Sequence, residues 1–379
     1  MFFRMHWLLG WIQECALSKG GMIRLKLNPL ARKKLSRFRS IRRGYWSFIF
    51  LLFIYGLSLG AELFVNNKAL VVFYEGDLYF PTYADQIGGD RFGLDYSYEA
   101  NYRELKKQFK ESNRGNWVLL PIVPYDPYEM DYQDENATGL SPPNFEKRHF
   151  LGTDKTERDV LARLLYGFRI AMTFAIAYLL LTYLIAMGAG SLMGYAGGKA
   201  DMIGLRFVEI WANVPFLYMV IILVSVMPGW WGVGWQVSSL LLIMVLFSWT
   251  GMAYYVRASI YKEKAREYIS AAQVIGASPT RIIFRHLLPN VISTLVTFAP
   301  FTIAAAISSV TALDFLGYGL PPPTPSWGEL LKQGVNNLRI APWIVISTVT
   351  ALVVTLTLVT FVGEAVREAF DPKKFSTYE

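Results

Sequence analysis

The sequence predicts an all-α polytopic membrane protein with six transmembrane helices. Hydrophobic residues make up 53% of its 379 residues, whereas ordinary soluble domains have about 45–50%. Apolar stretches of about 20 residues, enough to cross roughly 30 Å of hydrocarbon as a helix, recur along the chain. Each stretch is continuously apolar rather than alternating, which indicates helices and not the strands of a β-barrel. The predicted spans are Tyr45–Val65, Ile170–Met193, Phe207–Met227, Val237–Val256, Val291–Leu313 and Ala341–Val362.

Basic residues predict the orientation of the spans, because Lys and Arg beside short loops are retained on the cytoplasmic side. From Arg24 to Arg43 the chain holds nine Lys and Arg and no acid, and further basic residues follow spans four and six. We therefore expect both termini to be cytoplasmic. The predicted parts are a basic segment at 1–44, an extracytoplasmic loop at 66–150, a core at 151–372 and a tail at 373–379.

The overall charge and the cysteine content exclude several classes of function. The net charge of +8 lies beside the membrane, where an anionic lipid surface accounts for it, so we expect no nucleic-acid partner. Cys15 is the only cysteine, which excludes an intrachain disulfide and a cysteine-rich metal site. Residues 1–21 lack a cleavage pattern. Met22, directly before the basic segment, is a second candidate for the native start.

The long loop at 66–150 contains one amphipathic segment. Within 99–112, Tyr102, Leu105 and Phe109 recur at helical spacing and share one face. Two interpretations are open: a surface helix that covers its own loop, or a docking site.

A second helix start is predicted after this loop. Asp154 can cap a helix while Glu157 reaches back to it, as in a capping box. Val160, Leu161, Leu164 and Leu165 then share one face, and Arg158, Asp159 and Arg163 the other. This segment is either a helix lying in the membrane interface or a polar extension of span two.

Span two carries small residues at four-residue spacing: Ala186, Gly190, Gly194 and Gly198. Such a stripe permits close approach of a neighbouring helix.

Motifs for covalent chemistry are missing from the sequence. The nearest approach to a phosphate-binding loop, at Gly198-Lys199, has neither the first Gly nor the hydroxyl residue. His6, His149 and His286 are the only histidines, and none falls within a predicted span, which argues against haem ligation and an intramembrane protease. We therefore expect no enzyme and no cofactor in this chain.

Charged residues are scarce within the predicted hydrocarbon, which argues against a proton- or ion-coupled carrier. The main candidate, Glu209, is either a pathway residue or an interfacial acid paired with Arg206 one turn earlier. Trp327 lies in the proline-rich stretch at 316–340, which is either an outer gate or an interfacial anchor. The candidate pathway or gate residues are Glu209, Asn213, Asp314 and Trp327.

The most informative segment lies between spans four and five, at 258–290, and is called the coupling segment below. It predicts a helix through Ala271 and Ala272, a turn at Gly276, and a second helix capped by Ser278 with Pro279 in its first position. Pro289 is expected to redirect the chain into span five. A short exposed helix of this kind can occupy a groove on a soluble partner.

The coupling segment resembles the EAA loop of ABC-importer permeases. The pattern of that loop is E-A-A-x3-G-x9-I-x-L-P, and Ser270 and His286 depart from it in place of Glu and Ile. Both departures are familiar in the dipeptide/oligopeptide branch. The resemblance assigns the coupling role to Ser270, Ala271, Ala272, Gly276, Ala277, Ser278, His286, Leu288 and Pro289.

Further motifs are similar to the C-type permeases of that branch, and most of all to YejE-type peptide importer permeases. Glu157 stands where the wider family commonly has Gly. The matching stretches are 151–154, 158–161, 166–169, 314–317, 322–328, 341–343 and 371–372.

The resemblance implies the type I ABC importer permease fold, in the bacterial inner membrane. The implied partners are a second homologous permease, two cytoplasmic ATPase domains that bind ATP and Mg²⁺, and an extracytoplasmic solute-binding protein that delivers a peptide. An ion-coupled secondary transporter and an intramembrane enzyme are the other two classes. Neighbouring reading frames for a P-loop ATPase and a secreted binding protein would favour the permease.

Overall fold

The computed structural model describes residues 29–112, 115–131 and 139–371. The described part is predominantly helical, with one small sheet after the second helix. The predicted tail and the question about residues 1–21 fall outside the described residues. The helices are α1 (Pro29–Ser40), α2 (Arg42–Leu59), α3 (Tyr102–Ser112), α4 (Val160–Ala196), α5 (Gly198–Ala212), α6 (Phe216–Ser225), α7 (Val233–Lys264), α8 (Glu267–Val274), α9 (Pro279–Ile282), α10 (Leu288–Leu295), α11 (Ala299–Leu316), α12 (Trp327–Asn336) and α13 (Pro342–Phe370).

Four of these helices, α4, α7, α11 and α13, are long and apolar enough to cross a membrane, and α5 with α6 forms a fifth such unit if the bent pair is one span. They overlap predicted spans two to six. The first predicted span, Tyr45–Val65, corresponds to α2, which ends earlier, at Leu59. It begins with two arginines, so its apolar part is shorter than that of the other helices.

The third predicted span is broken rather than continuous. α5 and α6 meet at an angle of 71°. Asn213 caps the end of α5, and Pro215 stands directly before α6. Because Pro disfavours a helical conformation in the residue before it and has no N–H to donate, the chain bends here. The prediction of one straight helix over Phe207–Met227 is therefore wrong.

The fifth predicted span is also divided, since α10 and α11 are separated by a turn at residues 296–298. Pro300 lies in the first turn of α11, where its fixed φ suits the start of a helix and its missing N–H would have no helical partner anyway. Pro289 was expected to redirect the chain, but the helical path continues through it. A π-turn at Ile283–Leu287 precedes α10, and such turns accommodate local interruptions of the hydrogen-bond ladder.

The capping prediction for α4 is wrong in its register. The cap is Asp159, whose carboxylate accepts a hydrogen bond from the Ala162 N–H, and the helix begins at Val160. Asp154 instead organises the preceding turn by accepting from the N–H groups of Thr156 and Arg158. α4 then runs unbroken for 37 residues. The structure thus shows an extension of span two and no separate helix in the interface.

α4 and α7 form the central helix pair, and small residues determine their contact. A side chain at Gly190 would meet the backbone of Ala253 and the side chain of Val256, and one at Gly194 would meet Ile260. Ala186 is fully buried in the same contact. The stripe prediction is confirmed for these three positions, whereas Gly198 lies beyond the end of α4.

The insert at 66–150 has its own hydrophobic core. Three antiparallel strands, in the order β2 (Asp77–Tyr79), β1 (Val71–Tyr74) and β3 (Trp117–Leu119), pack one face against α3. Tyr102, Leu105 and Phe109 of α3 are buried against Val72 and Val118. This confirms that α3 covers its own loop.

A buried histidine joins the insert to the start of α4. His149 lies between two carboxylates, with Nδ1 2.8 Å from Asp159 Oδ2 and Nε2 3.3 Å from Asp131 Oδ2. Its ring stacks on Tyr125 with centroids 3.9 Å apart. Burial by itself would lower the pKa of His149, but the hydrogen bonds to Asp131 and Asp159 raise it overall.

We expect Gly194→Leu to destabilise the α4–α7 contact by about 1–3 kcal/mol, because the new side chain overpacks Ile260. Gly188→Leu is the matched control, since a side chain there meets nothing within 4 Å on the same helix. Thermal unfolding in detergent should show a lower midpoint for Gly194→Leu alone. Equal midpoints for the two variants would contradict the proposed contact.

We also expect stability to depend on pH through His149. Because its folded pKa is raised, its contribution is complete below about pH 6.5, the ordinary value, and is lost as the pH rises through the folded pKa. The loss is at most about 1.4 kcal/mol per pH unit. Thermal unfolding of His149→Gln should lack this dependence, whereas His286→Gln should retain it. A pH dependence that persists in His149→Gln would refute the assignment.

Candidate functional site

The coupling segment is a short helical projection held at its base by apolar side chains. Ile269 of α8 and Ile282 of α9 are buried together with Ile260 of α7 and Leu287. These contacts orient α8 relative to α7 and α10. The predicted helix–turn–helix is confirmed, with α8 first and a helical path from Pro279 onward.

Gly276 ends α8 in a Schellman arrangement. Its φ is +87°, in the left-handed region that favours glycine. The Gly276 N–H donates to the carbonyl of Gln273, and the Ala277 N–H donates to that of Ala272. Ser278 then caps the next helix by accepting from the Arg281 N–H, with Pro279 in the first turn. The turn therefore depends on both the left-handed conformation and the N–H of residue 276.

The coupling segment exposes large apolar side chains, two of them directly before the turn at its tip. Val274 and Ile275 are 89% and 86% exposed, and Phe284 is 72% exposed. Ser270 and Ala271 are exposed beside them, whereas Ala272 is half-buried. An exposed apolar group on a rigid polar support is typical of a protein interface.

Polar contacts join the two ends of the coupling segment. Tyr268 donates to Glu263 over 3.0 Å, and the Asn290 amide contacts both Glu263 and Tyr268. Asn290 also donates to the carbonyl of His286. His286 and Leu288 are half-buried, while Pro289 is exposed. These hydrogen bonds connect α8 to α7 and to α10.

An ion pair at the base connects this segment to α5, and we call it the Arg257 clamp (Asp201, Arg257, Tyr261). Arg257 contacts both carboxylate oxygens of Asp201 at 2.5 Å, and Tyr261 donates to the same carboxylate at 2.6 Å. Asp201 is buried. A bidentate pair of this kind is geometrically specific. Lys264 adds a hydrogen bond to the carbonyl of Tyr195 near the end of α4.

At the opposite end of α4 lies the Glu329 cluster (Asp154, Arg158, Arg163, Glu329). Arg158 bridges Asp154 and Glu329, with N–O distances of 2.8 and 2.9 Å. Arg163 is fully buried and contacts Glu329 through Nη2 and the carbonyl of Pro127 through Nη1. Two separate sequence motifs, around 154–158 and 322–328, thus meet at one site.

Trp327 lies in the core rather than at an exposed position. Its N–H donates to the carbonyl of Leu164 over 3.0 Å, and a side chain at Gly167 would meet its ring. Asp314 is buried and accepts from the Leu320 N–H, which holds the turn after α11. Both residues therefore organise the 316–340 loop, and the interpretation of Trp327 as a headgroup-level anchor is not what the structure shows.

Glu209 and Asn213 lie at the bend between α5 and α6. Arg206 donates to Glu209 over 2.7 Å, so the predicted pair forms. The Asn213 amide donates to the Glu209 carbonyl over 2.7 Å and closes the end of α5. Neither residue contacts the Glu329 cluster or the coupling segment. A pathway role for them stays a prediction.

The sequence interpretation missed the Arg257 clamp. Arg257 was counted only as a basic residue beside the membrane, and Asp201 was not considered. The sequence feature that could have indicated the clamp is an acid and an arginine near the ends of two spans, where an unpaired charge is unfavourable. Within the described ranges, no group of three or more His, Cys, Asp or Glu could hold a metal ion.

Comparisons with known proteins agree with this architecture. Residues 186–376 match the family described as binding-protein-dependent transport system inner membrane component. The inner membrane ABC transporter permease protein YejE of Escherichia coli strain K12 is 42% identical, covering 92% of this chain and 99% of that protein. The peptidoglycan transport system permease protein YejE of Agrobacterium fabrum is 36% identical, covering 92% and 94%.

A more distant relative is the oligopeptide transport system permease protein OppC of Escherichia coli strain K12. It is 37% identical and covers 68% of this chain and 82% of that protein. Together with the apolar helices and the coupling segment, these matches place the chain among the inner membrane components of binding-protein-dependent transport systems, as a multi-pass, non-enzymatic permease subunit of an ABC transporter.

Proposed function

We propose that this permease subunit imports peptides or peptide-containing compounds and forms half of the translocation pathway. Two of the relatives are permeases of oligopeptide and peptidoglycan transport systems. Oligopeptides and peptidoglycan both contain peptide chains. The relatives support this class and not the ion-coupled secondary transporter.

The proposed assembly contains a second homologous permease, two cytoplasmic ATPase domains and an extracytoplasmic solute-binding protein. ATP and Mg²⁺ bind to the ATPase domains and not to this chain. The single observation that carries the proposal is the coupling segment, whose apolar tip projects from a base held by the Arg257 clamp. Seating Val274, Ile275 and Phe284 in a groove of the ATPase would remove apolar surface from water.

The proposed topology has six spans with both termini in the cytoplasm. α2 supplies the first span, and α5 with α6 supplies a bent third span. The coupling segment then lies in the cytoplasm with the Arg257 clamp, and the insert and the Glu329 cluster lie outside. Because α4 has the cluster at one end and the clamp near the other, it is the direct connection between the two sides of the membrane.

In this arrangement ATP-driven movement of the ATPase domains acts on α8. The contacts of Ile269 and Asn290 pass that displacement to α7 and α10, and the clamp passes it to α5. The bend at Asn213 gives the third span a point where its two halves can change angle. Such changes would alternate access for the peptide between the two sides.

We expect Gly276→Pro to abolish coupling, because Pro cannot adopt φ of +87° and removes the N–H to Gln273. A Pro penalty of about 3 kcal/mol corresponds to a loss of about a hundredfold in the population of the native turn. Peptide uptake and co-purification of the ATPase should both fall, while membrane insertion persists. Ala272→Glu should act in the same direction. Gly251→Ala is the control, since a side chain there meets nothing within 4 Å. Normal peptide uptake by Gly276→Pro would contradict the coupling role of this turn.

We expect Asp201→Asn to lower peptide-stimulated ATP hydrolysis by the assembled complex without loss of ATPase binding. Breaking a hydrogen bond to a charged group costs about 1.5–3 kcal/mol. This corresponds to roughly a 10- to 100-fold change in the equilibrium between the formed and the broken clamp. A double-mutant cycle with Arg257→Gln should be strongly non-additive, because both changes break one contact. Arg206→Gln, whose partner Glu209 is more exposed, serves as the comparison. Additive effects of the two clamp variants would contradict the assigned contact.

A further inference from the structure

A deep apolar groove runs between the first two helices and the helices α4, α10, α11 and α13. Its volume is about 1030 Å³, at the upper end of the roughly 300–1,000 Å³ of small-molecule sites. Its walls are almost wholly aliphatic and aromatic. Representative lining residues are Phe38, Phe48, Leu52, Ile176, Ile303 and Val362.

One cation, Lys34, lies at an end of this groove. Its Nζ donates to the Ser293 hydroxyl over 2.5 Å and is 4.4 Å from the centre of the Phe370 ring. No carboxylate of the described residues is within ion-pair distance of Lys34. Burial lowers its pKa, as expected for an ammonium group partly removed from water. Among the residues that the structure describes, Lys34 therefore has no negative partner.

The length of the groove matches one leaflet of a bilayer. Along α13 its wall extends from Val359 to Phe370, which at 1.5 Å per residue is about 16 Å. Half of a typical hydrocarbon core is about 15 Å. The charged end coincides with α1, which carries five Lys and Arg and no acid.

We propose that the groove binds an acyl chain of a phospholipid with an anionic headgroup, and that Lys34 pairs with its phosphate, whose negative charge no headgroup ammonium compensates. The basic residues of α1 attract the anionic headgroup, and the apolar walls replace the contacts that the acyl chain would make with other lipid tails. The negative charge of the headgroup supplies a partner that the described residues do not offer to Lys34. The proposal rests on the cytoplasmic placement of α1 given above, and it is independent of the coupling to ATPase.

The test uses the full chain assembled with its partner subunits in vesicles. The vesicles contain phosphatidylglycerol or phosphatidylcholine with a photoactivatable diazirine in the acyl chain, and mass spectrometry locates the labelled peptides. We expect labelling of the groove walls, with a preference of about fivefold for phosphatidylglycerol from one interfacial cation. Lys34→Gln should remove the preference, whereas Lys33→Gln, at the exposed neighbouring position, should keep it. Ile303→Trp, which fills the groove, should reduce labelling by both lipids.

Three outcomes would overturn the proposal. The first is equal labelling by the two lipids in the unaltered protein, and the second is a preference that persists in Lys34→Gln. The third is an absence of label from the groove while other lipid-facing positions are labelled, which would assign the groove to a helix of the partner permease. Peptide uptake measured on the same vesicles separates these results from a failure of the proposed transport function.

Discussion

The contact between α4 and α7 is the interaction on which the remaining structure depends. Gly190 and Gly194 let the two backbones approach, and the side chains of Val256 and Ile260 fill the space that glycine leaves. Within lipid there is little hydrophobic driving force between helices, so close van der Waals packing must supply much of the association. Because α4 is 37 residues long, this one contact sets the relative position of sites at both of its ends.

Those two ends are built in different ways. At the start of α4, the charges of the Glu329 cluster pair with one another, and the His149 contacts join the insert to the helix cap. At the other end, the Arg257 clamp and Lys264 hold α5 and α7 against α4 beside the coupling segment. Buried ion pairs of this kind contribute specificity of arrangement more than net stability. They are suited to transmitting a change of geometry.

Hydrophobic length and helical spacing predicted much of the framework. The apolar stretches correspond to helices, the face of Tyr102, Leu105 and Phe109 is buried, and the turn at Gly276 has the expected left-handed conformation. The same pattern could not give the bend at Asn213 or the restart at Pro300. Hydropathy averaged along the chain does not detect a break within an apolar segment, because proline acts on the backbone of individual residues. The start of α4 was misplaced because Asp154 and Asp159 have the same capping chemistry, and only the surrounding turn decides between them.

Glu157 is a residue whose backbone conformation could not be predicted from the sequence. The resemblance to the wider family indicates that glycine is common at this position, and the structure adds the left-handed φ of +58°, a conformation that favours glycine. The helical segments and the coupling segment could be predicted from the sequence, because they depend on hydrophobicity and on spacing along one chain, and the motifs shared with a known family indicated the class of protein. Only the tertiary structure shows that Asp201 contacts Arg257, that Arg163 contacts Glu329, and that Lys34 lies at an end of an apolar groove. Such contacts join residues far apart in the chain, and no local periodicity encodes their distance in space.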